Sequence, residues 1–133
     1  MTSPLIQDVF IAGFFPGMNE IIAAARGNRY ASAKQKKGWT DRVAWTCKQK
    51  RLQPMGRVRL SIVYYEPNKR RDPDNIAATK KFLGDGLVAA GVLAGDGHKY
   101  IAGFDESFEF GARVGIHVTL MEVVNDTTGN ERA

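Results

Sequence analysis

Arg57-Val58-Arg59-Leu60-Ser61-Ile62-Val63-Tyr64 is the stretch on which the fold turns. Val58, Leu60, Ile62 and Tyr64 alternate with Arg57, Arg59, Ser61 and Val63, the period of a strand with one face on a core. Pro67 ends it, because proline brings no N–H to a ladder. From Pro73 to Ala90 the pattern changes to helical spacing, with proline at a start position and Gly91 at the stop. A strand handing over to a helix is thus the central unit, and the rest of the chain is read outward from it.

Upstream, residues from about Leu5 to Phe15 are rich in Val, Ile and Phe and end at Pro16-Gly17, which predicts a first strand and a turn. Asn19 is placed to cap a short helix through Ala23, Ala24 and Ala25, stopped by Gly27. Ser32, followed three residues later by Gln35, fits a capping box for a second helix. Trp39, Val43 and Cys47 give that helix one apolar stripe down to about Lys50. Its other faces carry Lys34, Lys36, Lys37, Arg42 and Lys48. Downstream, Tyr100 to Phe110 is aromatic and β-like, and Gly111-Ala112 makes a turn. Val114, Ile116, Val118 and Leu120 alternate as a last strand, expected to form a hairpin with the one before. These elements predict one α+β domain over residues 1–133: a two-layer sandwich, a mixed β-sheet with helices packed on one face. Residues 125–133 are polar, without apolar periodicity, and read as a flexible tail.

The composition agrees. The chain has 133 residues, 44% hydrophobic and 25% charged, as expected of a globular domain. A chain of this size buries roughly two-thirds of its unfolded surface, enough for a core without staples. Cys47 is the one cysteine, so an internal disulfide is excluded and a reducing cytoplasm suits the chain. It lacks the companions of a zinc site or a catalytic thiol and reads as a small buried apolar residue. No apolar run approaches the roughly 20 residues that span a bilayer. Met1-Thr2-Ser3-Pro4 lacks the basic start of a signal peptide, so a cytoplasmic protein without membrane contact is expected. The net charge of +5 is unevenly spread. Residues 1–81 carry 16 Lys and Arg against 6 Asp and Glu, whereas residues 82–133 carry 3 against 8. Between Arg26 and Arg59 stand 11 basic residues and a single acid, Asp41. Such a block suits a polyanion and, equally, an ordinary solvated surface.

The chemistry concentrates in Lys69-Arg70-Arg71-Asp72-Pro73-Asp74-Asn75, where two carboxylates stand at the mouth of a helix. One reading is structural: Asp72 as N-cap, Pro73 as first helical residue, Asp74 complementing the helix dipole. The other is a metal site. Asp96, in Gly95-Asp96-Gly97, lies beyond the far end of the helix, where glycines let the backbone bend around a carboxylate. Three carboxylates close together repel, by about 4 kcal/mol per pair at 4 Å and an effective dielectric of 20. A hard divalent cation removes that penalty, and Mg²⁺ needs only a few carboxylates plus waters. An EF-hand is excluded, because Ile76 and Ala77 stand where its loop needs a ligand and a glycine. His98 and His117 are too isolated for zinc. Lys69, Arg70 and Arg71 before the acids, and Lys80 and Lys81 after them, rim the cluster with cations. That arrangement suits a phosphodiester, although Lys80 and Lys81 also suit an ordinary exposed helix face.

Arg71-Asp72-Pro73-Asp74-Asn75, Lys81, Asp85-Gly86-Leu87, Gly91-Val92-Leu93 and Asp96 together resemble the RusA family of Holliday-junction resolvases. The resemblance covers most of the chain, and the basic helix before it fits the phage-borne branch of that family. It implies that Asp72, Asp74 and Asp96 coordinate Mg²⁺, with Mn²⁺ able to substitute, and that a helix lysine lies near the scissile phosphate. The shorter family pattern has that lysine where Ala78 stands here. Spacing to Asp85 makes Lys81 its counterpart, with Lys80 the alternative. The resemblance further implies a homodimeric endonuclease, without organic cofactor, that cuts paired strands of a four-way DNA junction during recombination and repair. Lys69, Arg70, Arg71 and Lys80 are then expected to hold the DNA backbone. Two other readings stay open: a non-catalytic basic DNA-binding protein, and a metal nuclease preferring flaps or forks.

Overall fold

The computed structural model describes residues 4–123. Its central strand, β2 (Val58–Glu66), buries alternate residues from Val58 to Glu66, as the sequence pattern requires. Around it, in chain order, stand β1 (Ile6–Ala12), α1 (Met18–Gly27), α2 (Arg29–Gln49), α3 (Pro73–Ala77), α4 (Lys80–Ala89), β3 (Ile101–Phe110) and β4 (Gly115–Glu122). The strands form a mixed sheet in the order β1-β4-β2-β3. β3 runs parallel to β2, while β4 is antiparallel to both β1 and β2. A parallel neighbour needs a crossover, and α3 with α4 supplies it.

The expected hairpin between the last two strands is not formed: β4 lies between β1 and β2, and β3 takes the edge beyond β2. Burial explains the difference. In β4, Ile116, Val118 and Leu120 are all buried, which suits a central strand; in β3 only Ile101 is. Asp105, Glu106 and Glu109 would be costly in the middle of a sheet and cost little at its edge.

One sheet face carries Val9, Ile11, Leu60, Ile62, Tyr64, Val118 and Leu120 into a core shared with Val43, Cys47, Leu83 and Leu87 of the helices. Burying each such side chain contributes roughly 1.5–3 kcal/mol. The helices therefore cover one face of the sheet, as expected. The stripe Trp39-Val43-Cys47 packs inward too, with the Trp39 ring 4.5 Å from that of Phe15. Where α2 crosses α4, a Cβ on Gly86 would collide with the Val43 side chain, so glycine sets how closely these helices approach.

Helix ends differ in detail from expectation. The N-cap of α1 is Gly17, whose N–H donates to Glu20 Oε1 at 2.8 Å, and Asn19 lies inside the first turn. The cap of α2 is Asn28 rather than Ser32: its side chain accepts from the Ala31 N–H at 2.7 Å, starting the helix one turn earlier. The helix expected over 73–90 divides into α3 and α4. At Ala78 and Thr79 the bonds tighten to 3₁₀ spacing, with Thr79 N–H on Ile76 O and Phe82 N–H on Thr79 O. Buried Thr79 sits at the joint, and its branched side chain is a weak helix former. Gly91 ends α4 as expected, with φ +79 and the paired bonds Val92 N–H to Leu87 O and Gly91 N–H to Val88 O. β1 stops at Ala12, short of Phe15, at Gly13 with φ +136. The tail expected from Asn125 lies outside the described residues.

Candidate functional site

Glu66 is the last residue of β2 and a buried acid, so it requires a partner. Arg71 provides it across the loop, with Nε to Oε1 at 3.0 Å and Nη2 to Oε2 at 2.8 Å. The same guanidinium donates from Nη1 to Phe15 O at 2.9 Å and to Glu20 Oε1 at 3.2 Å, and it lies 4.2 Å from the Phe14 ring centroid. Its side chain is only 10% exposed. Arg71, expected to touch DNA phosphates, joins the end of β2 to the start of α1 through these bonds. Asn75 adds a second tie, accepting from the Asn19 N–H at 3.0 Å. Gly17 permits the approach: a Cβ there would fall 2.6 Å from Asn75 Oδ1 and 2.7 Å from its carbonyl oxygen.

This anchored loop presents Asp72 and Asp74 at the start of α3. Asp72 occupies the N-cap position, Pro73 follows at the start and Asp74 is in the first turn, as the structural reading expects. Yet the Asp72 side chain makes no capping hydrogen bond. Both carboxylates are exposed. Lys69 and Arg70 are exposed on the preceding loop, Lys69 lying 5.3 Å from the Phe110 ring centroid.

Asp96 is carried by the connection from α4 to β3, which folds back on α4: a Cβ on Gly84 would lie 3.9 Å from that of Asp96. There Asp96 lines a cavity of ≈ 170 Å³ together with Asp85, Lys80, Lys81 and Phe104. Inside this group the two lysines are not equivalent. Lys80 donates to Glu106 Oε1 at 3.0 Å and sits 4.6 Å from the Phe104 ring centroid. Tyr64 holds the other Glu106 oxygen at 2.6 Å, and burial, reinforced by that bond, pushes its phenol pKa well above the ordinary value. Lys81 is exposed and, among the described residues, its side chain has no hydrogen-bond or ion-pair partner. Asp85, one turn further along the same face of α4, has a buried Oδ2 that makes no hydrogen bond, with Lys36 of α2 standing 3.8 Å away.

The structure thus brings Asp96, Lys80 and Lys81 into one cavity and sets Asp72 and Asp74 at the mouth of α3. Among the described residues, no group of three or more His, Cys, Asp or Glu side chains is arranged to hold a metal ion. The donor chemistry still fits Mg²⁺. Asp72, Asp74 and Asp96 offer hard oxygens only, and none has an ionic partner among the described residues of a chain with net charge +5. His117 pairs with Asp8 at 2.8 Å. Cys47 is buried, and burial pushes its thiol up to about 11, which leaves it inert as a nucleophile at neutral pH.

Sequence reasoning used Asp85 only as a motif residue and gave neither Glu66 nor Lys36 a role in the site. The signal for Asp85 was its spacing, one helical turn from Lys81; Glu66 and Lys36 gave none, since only the fold brings them to Arg71 and Asp85. Among the described residues, no helix is long and apolar enough to cross a membrane. Compared with known proteins, the chain matches no family model and no curated protein.

Proposed function

We propose that the chain is a Mg²⁺-dependent endonuclease acting on branched DNA, with the four-way junction as its preferred substrate and two copies cutting symmetry-related strands. The observation that carries this reading is the shared cavity of Asp96 and Lys81, in which Lys80 is held by Glu106 and Lys81 is left unpaired. The missing cap bond at Asp72 weakens the purely structural explanation of the acids. The likeness of the motif to RusA resolvases supports the same chemistry.

In this reading Asp72, Asp74 and Asp96 would hold the metal, which supplies charge to the scissile phosphate and acidity to the attacking water. Lys81 brings a free ammonium to the phosphate oxygens, where charge grows as the phosphoester breaks. Asp85 lines the same cavity one helical turn from Lys81. Lys69 and Arg70 hold flanking phosphates, and Arg71 keeps their loop in shape by its tie to Glu66.

The test is cleavage of a labelled four-way junction, with and without Mg²⁺, beside a flap, a fork and a plain duplex. Cutting of the junction ahead of the others, lost in Asp74→Asn with binding retained, supports the proposal. Binding without any metal-dependent cutting would make the chain a non-catalytic DNA-binding protein, and preferred cutting of flaps or forks would replace the substrate.

A further inference from the structure

Helix α2 carries a surface that the cavity chemistry leaves unused. With 3.6 residues per turn, Tyr30, Lys34, Lys37, Trp45 and Lys48 fall within about 80° of one another around its axis. Tyr30 is 78% exposed and Trp45 64%, the two most exposed large apolar side chains among the described residues. Six basic residues on this helix face a single acid, Asp41, and Lys37 neutralises that acid at 2.8 Å. Beside Trp45 a groove of ≈ 670 Å³ opens between α2 and β1, with Phe10, Gly38, Arg42 and the Lys37-paired Asp41 also in its walls.

Gly38 is the telling residue. Glycine inside a helix weakens it, and such a position usually has a packing reason. Here a Cβ would meet no heavy atom within 4 Å, so nothing in the described chain requires the missing side chain. What the glycine leaves is bare backbone on which a flat ligand can lie close, next to an exposed indole.

We propose that this face of α2, with its groove, binds an unpaired nucleic-acid strand, a base stacking on Trp45 while Lys34 and Lys48 track its phosphates. This rests on the nucleic-acid part of the reading above and not on the metal part. Charge decides the occupant: an exposed aromatic ringed by cations matches a strand that offers both base faces and phosphates. A closed duplex keeps its base faces stacked away, and a protein partner would gain little from Lys34 and Lys48, which have no ionic partner among the described residues.

The experiment uses the whole chain in EDTA and a single-stranded oligothymidylate, followed by tryptophan fluorescence. The chain has two tryptophans, and Trp39→Phe isolates the signal of Trp45. Binding is expected to quench that signal, and to weaken steeply as salt rises. Trp45→Ala should lower affinity about tenfold, with an unchanged thermal midpoint because the side chain is exposed. Gly38→Ala should raise the thermal midpoint and yet weaken binding. No quenching in the Trp39→Phe protein, equal affinity in Trp45→Ala, or equal quenching by a duplex of the same length would each overturn the proposal. A chain that binds this way but never cuts leaves the proposal intact while removing the nuclease reading. A chain that cuts junctions without quenching does the reverse.

Discussion

Arg71→Ala asks whether this arginine is a structural tie or a DNA contact. The Arg71 side chain is 10% exposed and that of Glu66 6%, and two hydrogen bonds of 3.0 and 2.8 Å join them. Removing the cation strands a buried carboxylate at the end of β2, a loss of about 3–5 kcal/mol. With an m-value of about 2 kcal/mol per molar for a domain of this size, the urea midpoint should fall by roughly 2 M. Arg71→Lys keeps the charge but cannot make the two-pronged contact, so its midpoint should lie between those of the parent and Arg71→Ala. The double variant Arg71→Met, Glu66→Met leaves no buried charge and should recover most of the loss. The assay is urea unfolding at neutral pH followed by circular dichroism. If Arg71→Ala unfolds within about 1 kcal/mol of the parent and loses only DNA affinity, the tie is refuted and the phosphate contact restored.

Three further outcomes are expected. Gly86→Ala drives a methyl group into Val43 and should destabilise by about 1–3 kcal/mol in the same assay, whereas a gain in stability would show that α2 and α4 have room to separate. Lys81→Ala should lower junction cleavage by about 10²- to 10³-fold, whereas Lys80→Ala, which removes a cation already paired with Glu106, should keep most of the rate. The reverse ranking would identify Lys80 as the active lysine. Asp8 has its pKa lowered, chiefly by its hydrogen bond to His117 and then by that to Lys50. Its stabilising effect is therefore present above the ordinary carboxylate pKa and lost as pH falls through the lowered one, below about 4. Since its side chain is 52% exposed, the effect should stay under about 1 kcal/mol. Thermal midpoints from pH 5 to 2 should fall less for Asp8→Asn than for the parent, and parallel curves would contradict this.

Much of the fold was legible because local periodicity is a direct image of burial. The alternation from Val58 to Tyr64 and the stripe Trp39-Val43-Cys47 come from positions that face one core, and the stop at Gly91 from a left-handed turn that glycine adopts freely. The strand order was not legible. Whether Val114 to Leu120 pairs with its sequence neighbour or inserts between β1 and β2 depends on competition among partners far apart in the chain. The weak burial of β3 was a clue only in hindsight. The same limit applies to the site. Asp72, Asp74, Asp96 and Lys81 were marked by residue type and spacing, but the occupation of Arg71 by Glu66, Glu20 and the Phe15 carbonyl needed the meeting of α1 with the end of β2. The distinction between Lys80 and Lys81 likewise needed Glu106, which the parallel pairing of β3 with β2 brings to the same side as Tyr64.

The claim on which the functional account depends is that Asp72, Asp74 and Asp96 serve one ion. Crystals grown with Mn²⁺, with data collected at its absorption edge, test it most directly. An anomalous peak is expected within coordination distance of oxygens from all three side chains, lost in Asp74→Asn. A peak held by other residues, or a well-ordered Asp96 carboxylate turned away from an ion bound at Asp72 and Asp74, would contradict it.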